Sequence, residues 1–128
     1  MFRIVRSLGY ALEGLKHALI HERNLQLFVL GYAAVLVCAT TLSLERWEWT
    51  ALMVSGGAFI AVELFNTALE RLTDAVDSLP RESANVLLHH SMKAAKDVAA
   101  AAALAGLAVV AMTVLLVALP HLFPLGRP

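Results

Sequence analysis

The chain has one cysteine, Cys38, set in an apolar run, so an internal disulfide and a thiolate metal cage are both excluded. Ten basic and ten acidic side chains cancel, which removes the electrostatic footprint expected of a nucleic-acid binder. Glycines stand only at positions 9, 14, 31, 56, 57, 106 and 126 and match neither G-x-x-x-x-G-K-[ST] nor G-x-G-x-x-G. No glycine-rich phosphate loop is therefore encoded. What remains is apolar: 59% of the 128 residues are hydrophobic, and lipid is the solvent such a composition fits.

A helix needs about 20 apolar residues to cross roughly 30 Å of hydrocarbon. Three stretches approach that length, at 25–44, 50–72 and 98–119. The first follows a segment with a polar face, carrying Glu13, Glu22 and Asn24, and no small-residue cleavage site comes after a short core. A removable signal peptide is not expected. The expectation is an all-α membrane protein with a single membrane-embedded domain over residues 1–128.

Basic residues near span ends set orientation. Arg3, Arg6, Lys16 and Arg23 precede the first span, and Arg71, Arg81, Lys93 and Lys96 lie between the second and third, against Arg46 and Arg127 on the other side. The N-terminus and the 73–96 connection are thus expected in the cytoplasm, with the chain in a bacterial inner membrane. "ERWEW" (45–49) forms a short outer turn whose Trp47 and Trp49 suit the headgroup layer.

Over residues 2–22, Val5, Leu8, Leu12, Leu15 and Leu19 recur at helical spacing, with Arg3, Arg6, Tyr10, His17 and His21 opposite them. That pattern predicts an amphipathic helix lying in the membrane surface. His17 and His21, four residues apart, read as a surface pair, and His121 is assigned no role.

Glu63, Asn66, Glu70, Asp74 and Asp77 fall three or four residues apart and form one stripe on the second helix. At about 1.5 Å per residue, Glu63 lies roughly 20 Å into the span, with Glu70 at the boundary and Asp74 beyond it. Pro80 and "DSLPRESAN" (77–85) then break the pattern, and a third helix is expected from His89 or Ser91. Its "VAAAAALAG" (98–106) lets helices approach closely.

A carboxylate inside a span is costly, which makes Glu63 a functional candidate, with a neutral, hydrogen-bonded Glu63 as the alternative. Glu22 and Glu70, at one depth, could hold a Mg²⁺ ion together with substrate phosphates. Glu63, set deeper, suits proton acceptance from a hydroxyl. Lys96 and Arg3 could meet phosphate charge, although Lys96 alone also reads as a snorkelling span-end lysine. The combination suggests phosphoryl transfer to an alcohol in the headgroup layer.

These residues resemble the small prokaryotic diacylglycerol kinase family, which includes undecaprenol kinases. The resemblance rests on "ERN" (22–24), "ELFNTALERLTD" (63–74) and "KAAKDVAAAA" (93–102) and covers nearly the whole chain. It implies a homotrimer with shared active sites, each subunit having three transmembrane helices and a surface helix, that uses ATP with Mg²⁺ to phosphorylate a membrane lipid alcohol. It further implies Glu63 as base at the lipid substrate, Asn66 beside it in the catalytic motif, and Glu22 and Glu70 as metal ligands at the nucleotide. Arg3, Tyr10, Lys96 and Asp97 would contact ATP, and His89 is carried over as a further nucleotide candidate. Diacylglycerol is the first acceptor expected and undecaprenol the second. The chain departs from the family pattern in a longer connection between Asp74 and His89 and in Glu13, where a basic residue is common.

Two other classes fit the acidic stripe. In a small oligomeric cation channel, Glu63 and Glu70 would form carboxylate rings. In a noncatalytic assembly subunit, the stripe would pair with a partner's basic helix.

Overall fold

The computed structural model describes residues 2–78 and 86–123, with side chains described over 3–78 and 89–123. The whole 79–85 connection, with Pro80 and Arg81, and Arg127 lie outside the described residues. Regular structure among the described residues is entirely helical: α1 (Phe2–His21), α2 (Arg23–Ala39), α3 (Arg46–Asp77) and α4 (Val86–Leu122).

α1 matches the amphipathic segment, and its axis turns 91° into α2. Neither glycine nor proline makes that corner. Glu22 alone leaves the helical region, with φ −100° and ψ 107°. Gln26 then reaches back with its amide to the carbonyls of Leu19 (3.0 Å) and Ile20 (2.8 Å), giving partners to groups that the end of a helix leaves open. Leu25, with no exposed surface, and buried Ala18 fill the inside of the bend. The outer apolar residues Val5, Leu8 and Leu12 stay exposed, so none of the described residues covers that face of α1.

α2 is shorter than the 25–44 stretch predicts. Its 17 residues, roughly 25 Å, stop at Ala39, where the Thr40 and Thr41 hydroxyls donate to the carbonyls of Val37 (2.6 Å) and Cys38 (2.7 Å). Such local bonds compete with the helical ladder and close the last turn. α3 and α4 are each long and apolar enough to cross a membrane, and α1 with α2 supplies a third candidate as a bent pair.

α3 begins with Glu48 turning back to accept the Glu45 backbone N–H (2.7 Å), which satisfies one opening donor. Its 32 residues span roughly 48 Å, so the end carrying Glu70 to Asp77 extends past the apolar part. α4 starts at Val86, earlier than the expected His89 or Ser91, and Asp77–His89 and Asp74–Lys96 contacts tie its early turns to α3. α3 and α4 form the main packing pair. Small residues permit it: a Cβ on Gly106 would stand 3.1 Å from the Phe59 ring. On the α2 side, a Cβ on Gly56 would overlap the Tyr32 ring, whose hydroxyl donates to the Leu52 carbonyl.

His121, given no role in the sequence, accepts a structural one. Its Nε2 meets Glu48 Oε1 at 3.0 Å and joins the end of α4 to the start of α3. The pair was hidden by its 73-residue separation.

Candidate active site

The stripe on α3 is buried at Glu63 and Asn66, half-buried at Glu70 and exposed at Asp74 and Asp77. Glu63, Asn66, Thr67 and Thr73 are all buried, continuing the line of Leu52, Gly56 and Phe59. The reason is the α3–α4 register. Glu48 meets His121, Phe59 meets Gly106 and Asp74 meets Lys96, an antiparallel alignment that sets Ala99 to Ala103 opposite Glu63 to Glu70. Alanines there let α4 close over the carboxylates without filling the space beside them.

Glu63 is 6% exposed. The carboxylates of Glu70 and Glu22 lie near enough to act on it electrostatically, so three acids from two parts of the chain gather at one end of the bundle. Asn66 sits one turn further on and donates its amide to Glu70 Oε1 at 3.4 Å. Its carbonyl oxygen, Oδ1, is buried with no hydrogen-bond partner among the described residues. A buried acceptor left open costs free energy and asks for a donor, such as a substrate hydroxyl.

Glu22 stands at the corner between α1 and α2, the one non-helical residue between them. Arg71 of α3 donates to Glu22 Oε1 from Nε (3.1 Å) and Nη2 (2.6 Å), and its Nη1 meets His17 Nε2 at 2.6 Å. The His17 and His21 rings stack at 4.2 Å between centroids. Arg71 and His17 were not picked out as site residues in the sequence. Arg71 follows Glu70 directly and was read only as an orienting charge; its place beside Glu22 depends on the tertiary corner.

Lys96 donates to Asp74 Oδ1 at 2.8 Å, and Asp97 pairs with Lys93 at 3.1 Å. Lys96 precedes the apolar run that begins at Val98, and the Asp74 carboxylate accepting its hydrogen bond holds its ammonium pKa above the ordinary value. His89 lies 3.4 Å from Asp77. These groups line the polar extension of the α3–α4 pair. Arg3 and Tyr10 stand further along: both are exposed on α1, and counting back from His17, which meets Arg71, they lie roughly 21 Å and 10 Å along that helix. A single chain does not bring Arg3 to Glu70.

The donor set fits a hard divalent cation, since Glu22 and Glu70 offer only oxygen. Among the described residues no group of three His, Cys, Asp or Glu side chains converges to hold a metal ion.

The prokaryotic diacylglycerol kinase family model matches residues 9–119. The chain belongs to that family. It is 31% identical over 121 residues to the undecaprenol kinase of Bacillus subtilis, covering 94% of this chain and 91% of the relative. It is also 34% identical over 105 residues to a diacylglycerol kinase of Helicobacter pylori, covering 82% and 76% of the two chains. A diacylglycerol kinase of Synechocystis shares 32% identity over 98 residues, which is 77% of this chain and 52% of the relative. Family membership makes this a membrane lipid kinase, with ATP as phosphate donor, and disfavours the channel and noncatalytic readings of the acidic stripe. The matched region takes in all of α2 and α3 and the carboxylates at 22, 63 and 70.

Proposed function

We propose that the chain transfers the γ-phosphoryl group of ATP to the hydroxyl of a membrane lipid alcohol at the polar end of α3. Diacylglycerol, which would become phosphatidic acid, and undecaprenol, which would become undecaprenyl phosphate, both present such a hydroxyl. The observation that carries the reading is the shared face of Glu63, Asn66 and Glu70 at the polar end of a span.

In this reading the lipid hydroxyl arrives from the side, in the headgroup layer. Asn66 Oδ1 accepts a hydrogen bond from it, which gives the orphaned oxygen its partner. Glu63 then takes the hydroxyl proton as the oxygen attacks the γ-phosphorus; the bond to the bridging oxygen breaks and ADP leaves with its electrons. Mg²⁺ held by Glu22 and Glu70 would offset charge on the phosphates. Lys96 supplies positive charge beside them, with Asp97 and His89 at the same polar rim for the rest of the nucleotide. Positioning in a site that excludes water provides most of the acceleration.

A homotrimer completes the site. Arg3 lies too far along α1 to reach its own chain's Glu70, and the described residues leave the apolar face of α1 uncovered. A neighbouring copy would meet both conditions, bringing one subunit's surface helix to another's α3. The proposed reaction needs the N-terminus and the 73–96 connection in the cytoplasm, where ATP is available, and the basic residues flanking the spans support that orientation.

The test is transfer of label from γ-labelled ATP to lipid by purified protein in mixed micelles with dioleoylglycerol or undecaprenol. A labelled lipid phosphate with either alcohol is expected. Ion flux in liposomes with no labelled lipid from either alcohol would overturn the reading.

A further inference from the structure

Arg71 engages all three of its guanidinium nitrogens at the α1–α2 corner. Nε and Nη2 converge on Glu22 Oε1, and Nη1 lies 2.6 Å from His17 Nε2. Two bonds that end on one oxygen share a pivot, so by themselves they leave the planar guanidinium free to swing about that atom. The contact to His17 uses the remaining nitrogen and stops the swing.

We infer that His17 is a positioning residue for the divalent cation: through Arg71 it fixes the Glu22 carboxylate, and it does so as a neutral ring with its proton on Nδ1. The inference rests on the proposed kinase reading, in which Glu22 is a metal ligand. Three observations carry it.

The first is the direction of donation. A guanidinium has hydrogens to give and no lone pair to offer, so His17 Nε2 is the acceptor. An imidazole that accepts at Nε2 carries its hydrogen on Nδ1 and no charge.

The second is the backing of the ring. His21, one turn on, donates from Nδ1 to the His17 carbonyl at 2.9 Å. Its ring stacks on that of His17, with 4.2 Å between centroids and 25° between planes. Both residues are exposed, and the stack limits the rotamers that an exposed imidazole would otherwise sample.

The third is location. His17 stands beside buried Ala18, where α1 comes up to the corner, and Arg71 follows Glu70 directly on α3. One guanidinium thus ties α1, the corner and α3 together. The relative placing of Glu22 and Glu70, the two carboxylates that would share the cation, depends on that tie.

The experiment compares the wild type with His17→Leu, His17→Gln, His17→Lys, Arg71→Ala and the double variant His17→Leu with Arg71→Ala, all in nanodiscs. Two quantities are read: the Mg²⁺ concentration for half-maximal label transfer to lipid, and Mn²⁺ affinity by electron paramagnetic resonance with a non-hydrolysable ATP analogue and no turnover. His17→Leu should weaken both by roughly threefold or more, less than loss of the orienting arginine itself. Its kcat at saturating Mg²⁺ should stay within about twofold of wild type, which also shows that the variant folds. His17→Gln offers an amide oxygen near the place of Nε2 and should restore both quantities, whereas His17→Lys sets a cation against the guanidinium and should do at least as badly as His17→Leu. In the Arg71→Ala background, His17→Leu should add nothing. Unchanged values in His17→Leu, equal behaviour of the Gln and Lys variants, or a full further loss in the Arg71→Ala background would overturn the inference; the last result would mean that His17 only packs α1. Should His17→Leu fail to fold, the comparison of Gln with Lys decides. A wild type that labels neither dioleoylglycerol nor undecaprenol would overturn the kinase reading instead, and the Mn²⁺ affinities would then judge His17 alone.

Discussion

Arg71 and Glu22, 49 residues apart, are joined by two hydrogen bonds that end on the same oxygen, Glu22 Oε1. Neither bond uses Oε2. The guanidinium therefore fixes the carboxylate at the α1–α2 corner while its second oxygen can face the phosphates. We expect Arg71→Ala to raise the Mg²⁺ concentration needed for half-maximal turnover roughly 10- to 100-fold, the usual penalty for losing a group that orients a ligand. Both partners keep contact with solvent, so stability should fall by less than about 1 kcal/mol. A Mg²⁺ titration alongside a denaturation curve checks both, and an unchanged midpoint would remove the orienting role.

Asn66 separates structure from chemistry in the opposite way. Its Oδ1 has no protein partner to lose, so Asn66→Ala should change stability by no more than about 1 kcal/mol. If that oxygen positions the lipid hydroxyl, kcat should drop roughly 100-fold. Equal kcat in the variant would show that the orphaned oxygen is a packing accident.

Gly56 tests the helix packing that holds the stripe in place. A Cβ there meets the Tyr32 ring, so Gly56→Ala should cost about 1–3 kcal/mol. Adding Tyr32→Ala relieves the overlap, and the double variant should be more stable than the sum of the singles by over ~0.5 kcal/mol. Additive losses in a denaturant series would say that α2 and α3 are further apart.

Lys96 is exposed enough to exchange Asp74 for a phosphate. Lys96→Met should raise the KM for ATP about tenfold, with a smaller change in kcat, consistent with the loss of one charge-assisted contact. Steady-state kinetics at saturating lipid resolves the two parameters; a pure kcat effect would place Lys96 at the transition state instead.

What could be read from the sequence follows from periodicity. The surface helix and the Glu63–Asp77 stripe are legible because residues three and four apart share a helix face whatever surrounds them. Three features escaped because side-chain bonds that helical periodicity does not register make them, local bonds in the first two cases and contacts between distant residues in the third. The end of α2 at Ala39 is hidden because Leu42 and Leu44 prolong the apolar run, while two threonine hydroxyls close the helix. The corner at Glu22 has no glycine or proline to announce it and is held by Gln26 from the following helix. Arg71 beside Glu22 and His121 beside Glu48 depend on which helix ends meet. In the proposed trimer a neighbouring copy would bring Arg3 to the site, and one chain's sequence does not specify that geometry.

The account stands most directly on Glu63→Gln, which keeps the shape of the side chain and removes the base. Label transfer from γ-labelled ATP to lipid should fall by roughly 10²- to 10⁴-fold, while the variant folds and still binds MgATP with near wild-type affinity. Near-normal transfer by that variant would contradict the assignment of Glu63 as the group that takes the lipid's proton.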